Sequence, residues 1–305
     1  MKIVYVGSPV AAVVPLRALV HAGHEVLIVL SQPDRKRGRG SALVASPVKI
    51  AALELGLPVT DRADDLLDAA AAGAELGVVV AYGRLIKPHL LEALPFVNLH
   101  FSLLPRWRGA APVERAVLAG DPETGVCLMA LEAGLDTGPV YERVVVPVDE
   151  TESVAVLRDR LVEVGVEMMV RRLADGFVSL GSALDQVGES TYADKLDPGE
   201  FVLDFQKPAA ELARLVRLGF AWTTVRGKRL KVLDARPAGE GCAVGLVSGA
   251  LGKIDGDVLV GCGSLGGSAG NALVLVTMQP EGKGPMAAAA WANGLGRLEE
   301  TMLGQ

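Results

Sequence analysis

Apolar residues in the first hundred positions fall into two kinds of run. Ile3–Val6, Val26–Leu30 and Val78–Ala81 are short, continuous and rich in β-branched residues, as strands buried on both faces are. Between them, Ala11–Ala22 (ended by Gly23), Val48–Leu55 (ended by Gly56) and Leu85–Leu94 predict helices. Phe96–Phe101 predicts a further strand with a different character. Val97, Leu99 and Phe101 alternate with Asn98 and His100, so an extended chain points both polar side chains to one face. Strands spaced by helices predict an α/β, Rossmann-like, doubly wound and mainly parallel sheet. In such sheets ligands gather beyond the carboxyl ends of strands, which is where His100 runs into its loop. The turn Gly7-Ser8-Pro9 lacks the G-x-G-x-x-G spacing, which argues against a dinucleotide site.

Past residue 182 the pattern changes. Residues 183–205 are polar and turn-rich, including Lys195-Leu196-Asp197-Pro198-Gly199-Glu200, and read as a linker. A helix over Ala209–Leu218 follows. Then come short apolar runs separated by glycines: Leu230–Leu233, Ala243–Val247, Val258–Val260 and Ala272–Met278. That spacing predicts a small OB-like β-barrel over 206–305, with Gly261–Gly270 as a mobile hairpin loop. The division is therefore 1–182, linker 183–205, and barrel 206–305. A barrel appended to an enzyme serves either nucleic-acid binding or structure alone.

Composition narrows the class. The 305 residues suffice for two domains. Half the residues are apolar, yet no uninterrupted apolar run reaches the roughly 18 of a membrane span. The start of the chain lacks the long apolar segment of a signal peptide. Cys127, Cys242 and Cys262 are scattered and odd in number, and none of the four histidines pairs with them at zinc spacing. A cytoplasmic protein with no metal and no membrane partner is expected. The net charge of −6 is segregated: residues 1–50 hold seven Lys/Arg against two Asp/Glu, and 51–205 hold 12 against 26. Residues 206–236 hold eight basic side chains against two acidic ones. Two basic stretches flanking an acidic body fit either solvated surface or a polyanionic partner.

The stretch Asn98-Leu99-His100-Phe101-Ser102-Leu103-Leu104-Pro105-Arg106-Trp107-Arg108-Gly109-Ala110-Ala111-Pro112 sets an amide, an imidazole, a hydroxyl and guanidiniums beside a stiff loop. A carboxylate follows in Leu135-Asp136-Thr137-Gly138. Asn, His and Asp are the parts needed to stabilise an oxyanion, move a proton and orient an imidazole. Taken alone, His100 could be a core histidine, Asn98 a strand-end cap and Asp136 a turn former. Together they point to group transfer.

These residues resemble the methionyl-tRNA formyltransferase family over nearly the whole chain. The matching pieces are Gln32-Pro33-Asp34-Arg35 with Gly38-Arg39-Gly40, Ser46-Pro47-Val48-Lys49, Val80-Ala81-Tyr82-Gly83 and the Asn98–Pro112 stretch. They continue through Thr124-Gly125-Val126, Gly134–Gly138, Tyr192-Ala193-Asp194-Lys195-Leu196 and Gln279–Lys283 followed by Met286. The resemblance implies transfer of formyl from 10-formyltetrahydrofolate to the α-amine of methionine on initiator methionyl-tRNA. It implies catalysis by Asn98, His100 and Asp136, and donor contacts from Ser102, Leu103, Leu104 and Pro105. It implies tRNA contacts from Arg35, Lys36, Arg37, Arg39 and Arg108, with a monomeric enzyme expected.

Three departures stand out. Phe101 occupies a position where the family usually has Gly, and Val10-Ala11 replaces an acidic and an aromatic residue. Leu218-Gly219-Phe220-Ala221-Trp222 stands where the family usually has Asn-Pro-Trp-Pro. The Asn-x-His-x-Ser-Leu-Leu-Pro core is shared by other users of the same donor. A formyltransferase acting on an amino sugar nucleotide, or a hydrolase releasing formate, would share it. A folate- or RNA-binding protein without activity would not need the Asn-His-Asp set. The basic loop and barrel favour the tRNA acceptor.

Overall fold

The computed structural model describes residues 1–36, 43–239, 246–263 and 271–305. Arg37 and Arg39 lie outside them, as do residues 243–245 of the run expected over Ala243–Val247 and residues 264–270 of Gly261–Gly270. The chain forms two compact units. The first holds 1–116, 122–147 and 157–195, and the second holds 117–121, 148–156 and 196–305.

The first unit is built on seven strands: β1 (Lys2–Gly7), β2 (Glu25–Leu30), β3 (Val59–Thr60), β4 (Leu76–Val80), β5 (Phe96–His100), β6 (Glu123–Ala130) and β7 (Val140–Pro147). Their order is β7-β6-β5-β4-β1-β2-β3. The five strands from β5 to β3 are parallel, whereas β6 pairs antiparallel with β5 and β7 pairs antiparallel with β6. This is the Rossmann-like, mostly parallel sheet the periodicity predicts. The antiparallel pair is an addition that the hydrophobic pattern does not announce. β1 and β4 are almost wholly buried, as continuous β-branched runs demand when both sheet faces are covered.

Helices α1 (Val13–His21), α2 (Pro47–Glu54), α3 (Asp65–Ala71) and α4 (Pro88–Ala93) connect the parallel strands. The helix expected from Ala11 opens instead with a 3-10 turn, Val10–Ala12. The helix expected over Leu85–Leu94 starts only at Pro88, which suits the first helical position because it needs no N–H there. Ser46 caps α2, accepting from the Lys49 N–H at 3.0 Å, with Pro47 next in line. Helices α5 (Pro112–Ala119) and α6 (Val154–Leu173) follow. In α6 the buried Val154, Leu157, Leu161, Met168 and Leu173 recur at helical spacing. Gly165 of α6 allows a close approach by Leu99, whose methyl would lie 2.9 Å from an added Cβ.

The second unit follows α7 (Ala209–Val216) with an antiparallel sheet. Its strands are β8 (Trp222–Val225), β9 (Lys228–Pro237), β10 (Leu251–Ile254), β11 (Asp257–Gly261), β12 (Ala272–Pro280) and the short β13 (Met286–Ala287). The order is β8-β9-β12-β11-β10, with β13 on β12. Leu303 bridges Val225 and Met302 bridges Ala250, so the last residues join both edges of a curled, OB-like sheet. Leu230, Val232, Val260, Leu273, Met278 and Trp291 fill its interior. Residues 246 and 247 are not strand. Residues 183–195, read as linker, belong to the first unit, with Tyr192–Ala193 paired in parallel to Arg108–Gly109.

Candidate active site

β5 delivers two polar side chains to one face because its register is fixed on both sides. Val97, Asn98, Leu99 and His100 pair with Ala130, Met129, Leu128 and Cys127 of β6, while β4 holds the other edge. A slip of one residue would turn both polar groups to the opposite face. Asn98 and His100 are buried, at 9% and 5% exposure, and the Leu135-Asp136 turn brings in a third buried polar group.

Asp136 is where the three meet. Its Oδ2 accepts the Gly109 N–H at 2.8 Å and lies 3.6 Å from His100 Nδ1, and its Oδ1 accepts from Asn98 Nδ2 at 3.4 Å. The backbone of Asp136 is left-handed, with φ +50°. On its other side, His100 Nε2 donates to the Trp107 carbonyl at 2.9 Å. A carbonyl only accepts, so Nε2 carries the hydrogen and Nδ1 is the position that gains or loses a proton. A proton arriving at Nδ1 meets the Asp136 carboxylate.

These residues line one cavity of about 470 Å³ in the first unit. Its apolar walls include Ile86, Leu99, Phe101, Leu131 and Leu135, and Tyr82, Arg84, Asp194 and Lys195 add polar groups. Burial pushes the Tyr82 phenol above its usual range, so it stays a neutral donor at neutral pH. Among the described residues no cluster of three or more His, Cys, Asp or Glu could hold a metal ion, and no helix is long and apolar enough to cross a membrane.

The other sequence candidates fall elsewhere. None of Ser102, Leu103, Leu104 and Pro105 lines the cavity. The Ser102 hydroxyl is fully buried and donates to the Arg106 carbonyl at 2.6 Å, closing the loop on itself. Leu104 packs with Cys127, Met129 and Val140 in a core cluster, and Leu103 lies close to Gly125. The walls beside the polar trio are instead Phe101 and the loop from Tyr82 to Ile86. Phe101, the family departure, stands in that wall. Pro9 reaches the cavity, whereas Ala11 does not.

Arg35 and Lys36 are exposed on a two-residue strand against Leu43–Val44, and Arg35 also bonds Gln32. Arg108 is half-buried, and its guanidinium donates to Gln186 Oε1 at 3.1 and 2.7 Å. Gln186 is the site residue that sequence reasoning passes over. Its amide donates to the carbonyls of both Asp136 and Gly138 at 2.8 Å. A lone Gln in a polar stretch carries no signal of its own. Only the resemblance of Tyr192–Leu196 to a family motif marks the neighbourhood.

Residues 1–173 match the family model described as formyl transferase, and residues 195–296 match the formyl transferase C-terminal domain. The chain is 42% identical over 317 aligned residues to the methionyl-tRNA formyltransferase of Thiobacillus denitrificans, covering 100% of both chains. An N-formyltransferase from Helicobacter canadensis, solved with folinic acid and dTDP-3-aminofucose, superposes with a TM-score of 0.67 at 15% identity. That match covers 92% of this chain and 99% of the other. A variant of HypX from Aquifex aeolicus superposes with a TM-score of 0.63 at 17% identity, over 96% of this chain, which spans 47% of that protein's length. At such identities the two structures speak to the fold alone.

Proposed function

This chain belongs to the methionyl-tRNA formyltransferase family, and on that premise we propose that it transfers formyl from 10-formyltetrahydrofolate to the α-amine of methionine on initiator methionyl-tRNA. The observation that carries the reading is the convergence of Asn98, His100 and Asp136 on one cavity at the carboxyl end of β5. Binding alone does not require that arrangement, whereas acyl transfer to an amine does.

A free α-amine titrates near pH ~8, and esterification of the neighbouring carboxyl lowers that, so a neutral nucleophile is present at neutral pH. Its attack on the formyl carbon gives a tetrahedral oxyanion. Asn98 is the side-chain amide positioned for that oxygen, an interaction worth roughly 3–4 kcal/mol in comparable sites. The attacking nitrogen sheds a proton and N10 of the departing folate takes one up. His100 Nδ1 serves that exchange, and the carboxylate 3.6 Å away stabilises the imidazolium formed between the two transfers. The apolar walls and the cavity volume suit a flat heterocycle, with the polar trio at the reacting end.

The exposed Arg35 and Lys36, the adjoining Arg37 and Arg39, and the basic stretch Lys207–Arg236 supply phosphate contacts for the acceptor. The test measures formyl transfer from 10-formyltetrahydrofolate to methionyl initiator tRNA, methionyl elongator tRNA and an amino sugar nucleotide. Rapid transfer to the first alone is the expected result. Preference for the sugar nucleotide, or formate release without an acceptor, would overturn the assignment.

A further inference from the structure

Residues 184–195 run along the catalytic loop as a strap. Leu184 exchanges two backbone hydrogen bonds with Val140, at 2.8 and 2.9 Å. Further on, the Thr191 hydroxyl accepts the Trp107 N–H at 2.9 Å, and the Thr191 carbonyl accepts the Arg108 N–H at 2.9 Å. The Ala193 carbonyl accepts the N–H groups of Ala110 and Ala111, at 2.8 and 3.0 Å. The strap thus holds both ends of the segment whose Trp107 carbonyl and Gly109 N–H touch His100 and Asp136.

Gln186 is the one side chain of the strap that reaches the Asp136 turn by hydrogen bonds. Its two amide hydrogens go to the Asp136 and Gly138 carbonyls, and its oxygen accepts from Nε and Nη2 of Arg108. We propose that Gln186, backed by Arg108, is a positioning residue for formyl transfer: it pins the left-handed turn at Asp136 so that the carboxylate stays on His100 and Asn98. A left-handed backbone is disfavoured for a residue with a Cβ and persists where surrounding bonds over-determine it. Here the carboxylate is held by the Gly109 N–H and the backbone by the Gln186 amide. Releasing the backbone swings the carboxylate. A guanidinium committed to an amide oxygen in this way orients Gln186 so that its nitrogen, not its oxygen, meets the two carbonyls.

The proposal rests on the formyl-transfer reading above, and its test separates the two. In the full chain, Gln186→Ala and Gln186→Glu remove the two donated bonds, and Arg108→Lys removes the paired contact while keeping the charge. The Glu variant also sets a carboxylate oxygen against two carbonyls. Each variant is assayed for kcat, for KM of the folate and for the pH–rate profile, and the His100 ring resonances are recorded by NMR without substrate. Expected results are kcat lower by tenfold or more for both Gln186 variants and by a smaller factor for Arg108→Lys. KM for the folate changes less than threefold, the pH–rate profile is displaced, and the His100 resonances move. Variants that lose thermal stability but keep the parent's kcat, pH profile and His100 resonances would overturn the proposal. If the parent fails to formylate tRNA, the functional reading falls, and the His100 resonances still decide for or against the clamp. Arg108→Lys keeps the test decisive should the Gln186 variants fail to fold.

Discussion

The same backbone departure serves two purposes in the two units. Among the described residues, five other than glycine have left-handed φ angles: Ala81, Trp107, Asp136, Arg226 and Asp255. In the second unit Arg226 and Asp255 each precede a glycine that is also left-handed, Gly227 and Gly256, in two-residue connections between paired strands. That is the type I′ hairpin, where two positive φ angles match the twist of the flanking strands. In the first unit Ala81 and Asp136 line the cavity, and Trp107 presents its carbonyl to His100. Each costs about 1 kcal/mol relative to an ordinary conformation. In one unit the departure is turn geometry that a neighbouring glycine eases. In the other it falls at the cavity around Asn98, His100 and Asp136.

The strongest break of that comparison is at Asp136. Asp136→Asn keeps the size and the tolerance of left-handed backbone but removes the charge facing His100. Activity should fall about a hundredfold or more with the fold intact, and His100→Ala should do at least as much. Steady-state turnover with circular dichroism checks both. Near-parental turnover in either would return the pair to a structural role.

The second unit carries its charge on the surface, with Lys228, Arg229 and Lys231 exposed and Arg229 lying over Trp222 at 4.2 Å. Neutralising the three to Gln should weaken tRNA binding about tenfold or more near physiological salt. The slope of log affinity against log salt should drop by about 0.9 for each phosphate the variant no longer neutralises. Affinity measured over a salt series decides this, and an unchanged slope would remove the hairpin from the acceptor surface.

A sharper contrast comes from glycine substitution. Ala81→Gly should leave the melting temperature unchanged or higher, because it relieves a left-handed Cβ, and should lower kcat/KM a few-fold by loosening the cavity wall. Asp255→Gly should leave kcat/KM at the parental value. Equal effects of the two on activity would erase the distinction between turn and site.

The smallest effect concerns acid stability. His24 is buried, neither ring nitrogen has a partner among the described residues, and burial lowers its pKa below the usual 6.5. The unfolded chain therefore takes up the proton first as pH falls. Stability is complete above the unfolded value and is lost progressively below it. His24→Leu should reduce the drop in melting temperature between about pH 7 and pH 5. Parallel pH–stability curves for variant and parent would contradict the assignment.

Much of the parallel sheet is legible in the sequence, because β1, β2 and β4 are apolar runs with no competing period and β5 alternates with period two. That Asn98 and His100 share one face is legible from their alternation with Val97, Leu99 and Phe101. Helix α6 has clear spacing in Leu157, Leu161 and Met168, yet the pattern reading names no element between Phe101 and Ala209. β6 is a buried run from Thr124 to Met129 that the reading passes over, whereas β7 mixes charged and apolar positions and leaves Val145 exposed. The role of Gln186 cannot be read locally. It depends on the pairing of Leu184 with Val140, 44 residues away in sequence. Ser102 to Pro105 lies beside the cavity without lining it, with Ser102, Leu104 and Pro105 buried and Leu103 half-buried.

The outer edge of β7 has a consequence for behaviour at high concentration. A sheet edge offers unpaired backbone groups to any passing chain. Here Val140 is already paired with Leu184, the Tyr141 carbonyl accepts from Arg172 at 2.7 Å, and the Pro147 carbonyl accepts from Arg160 at 3.2 Å. Proline ends the strand, and the far edge of the sheet, β3, is only two residues long. With one margin plugged by its own arginines and the other too short to template a ladder, this sheet resists edge-to-edge self-association in a crowded solution.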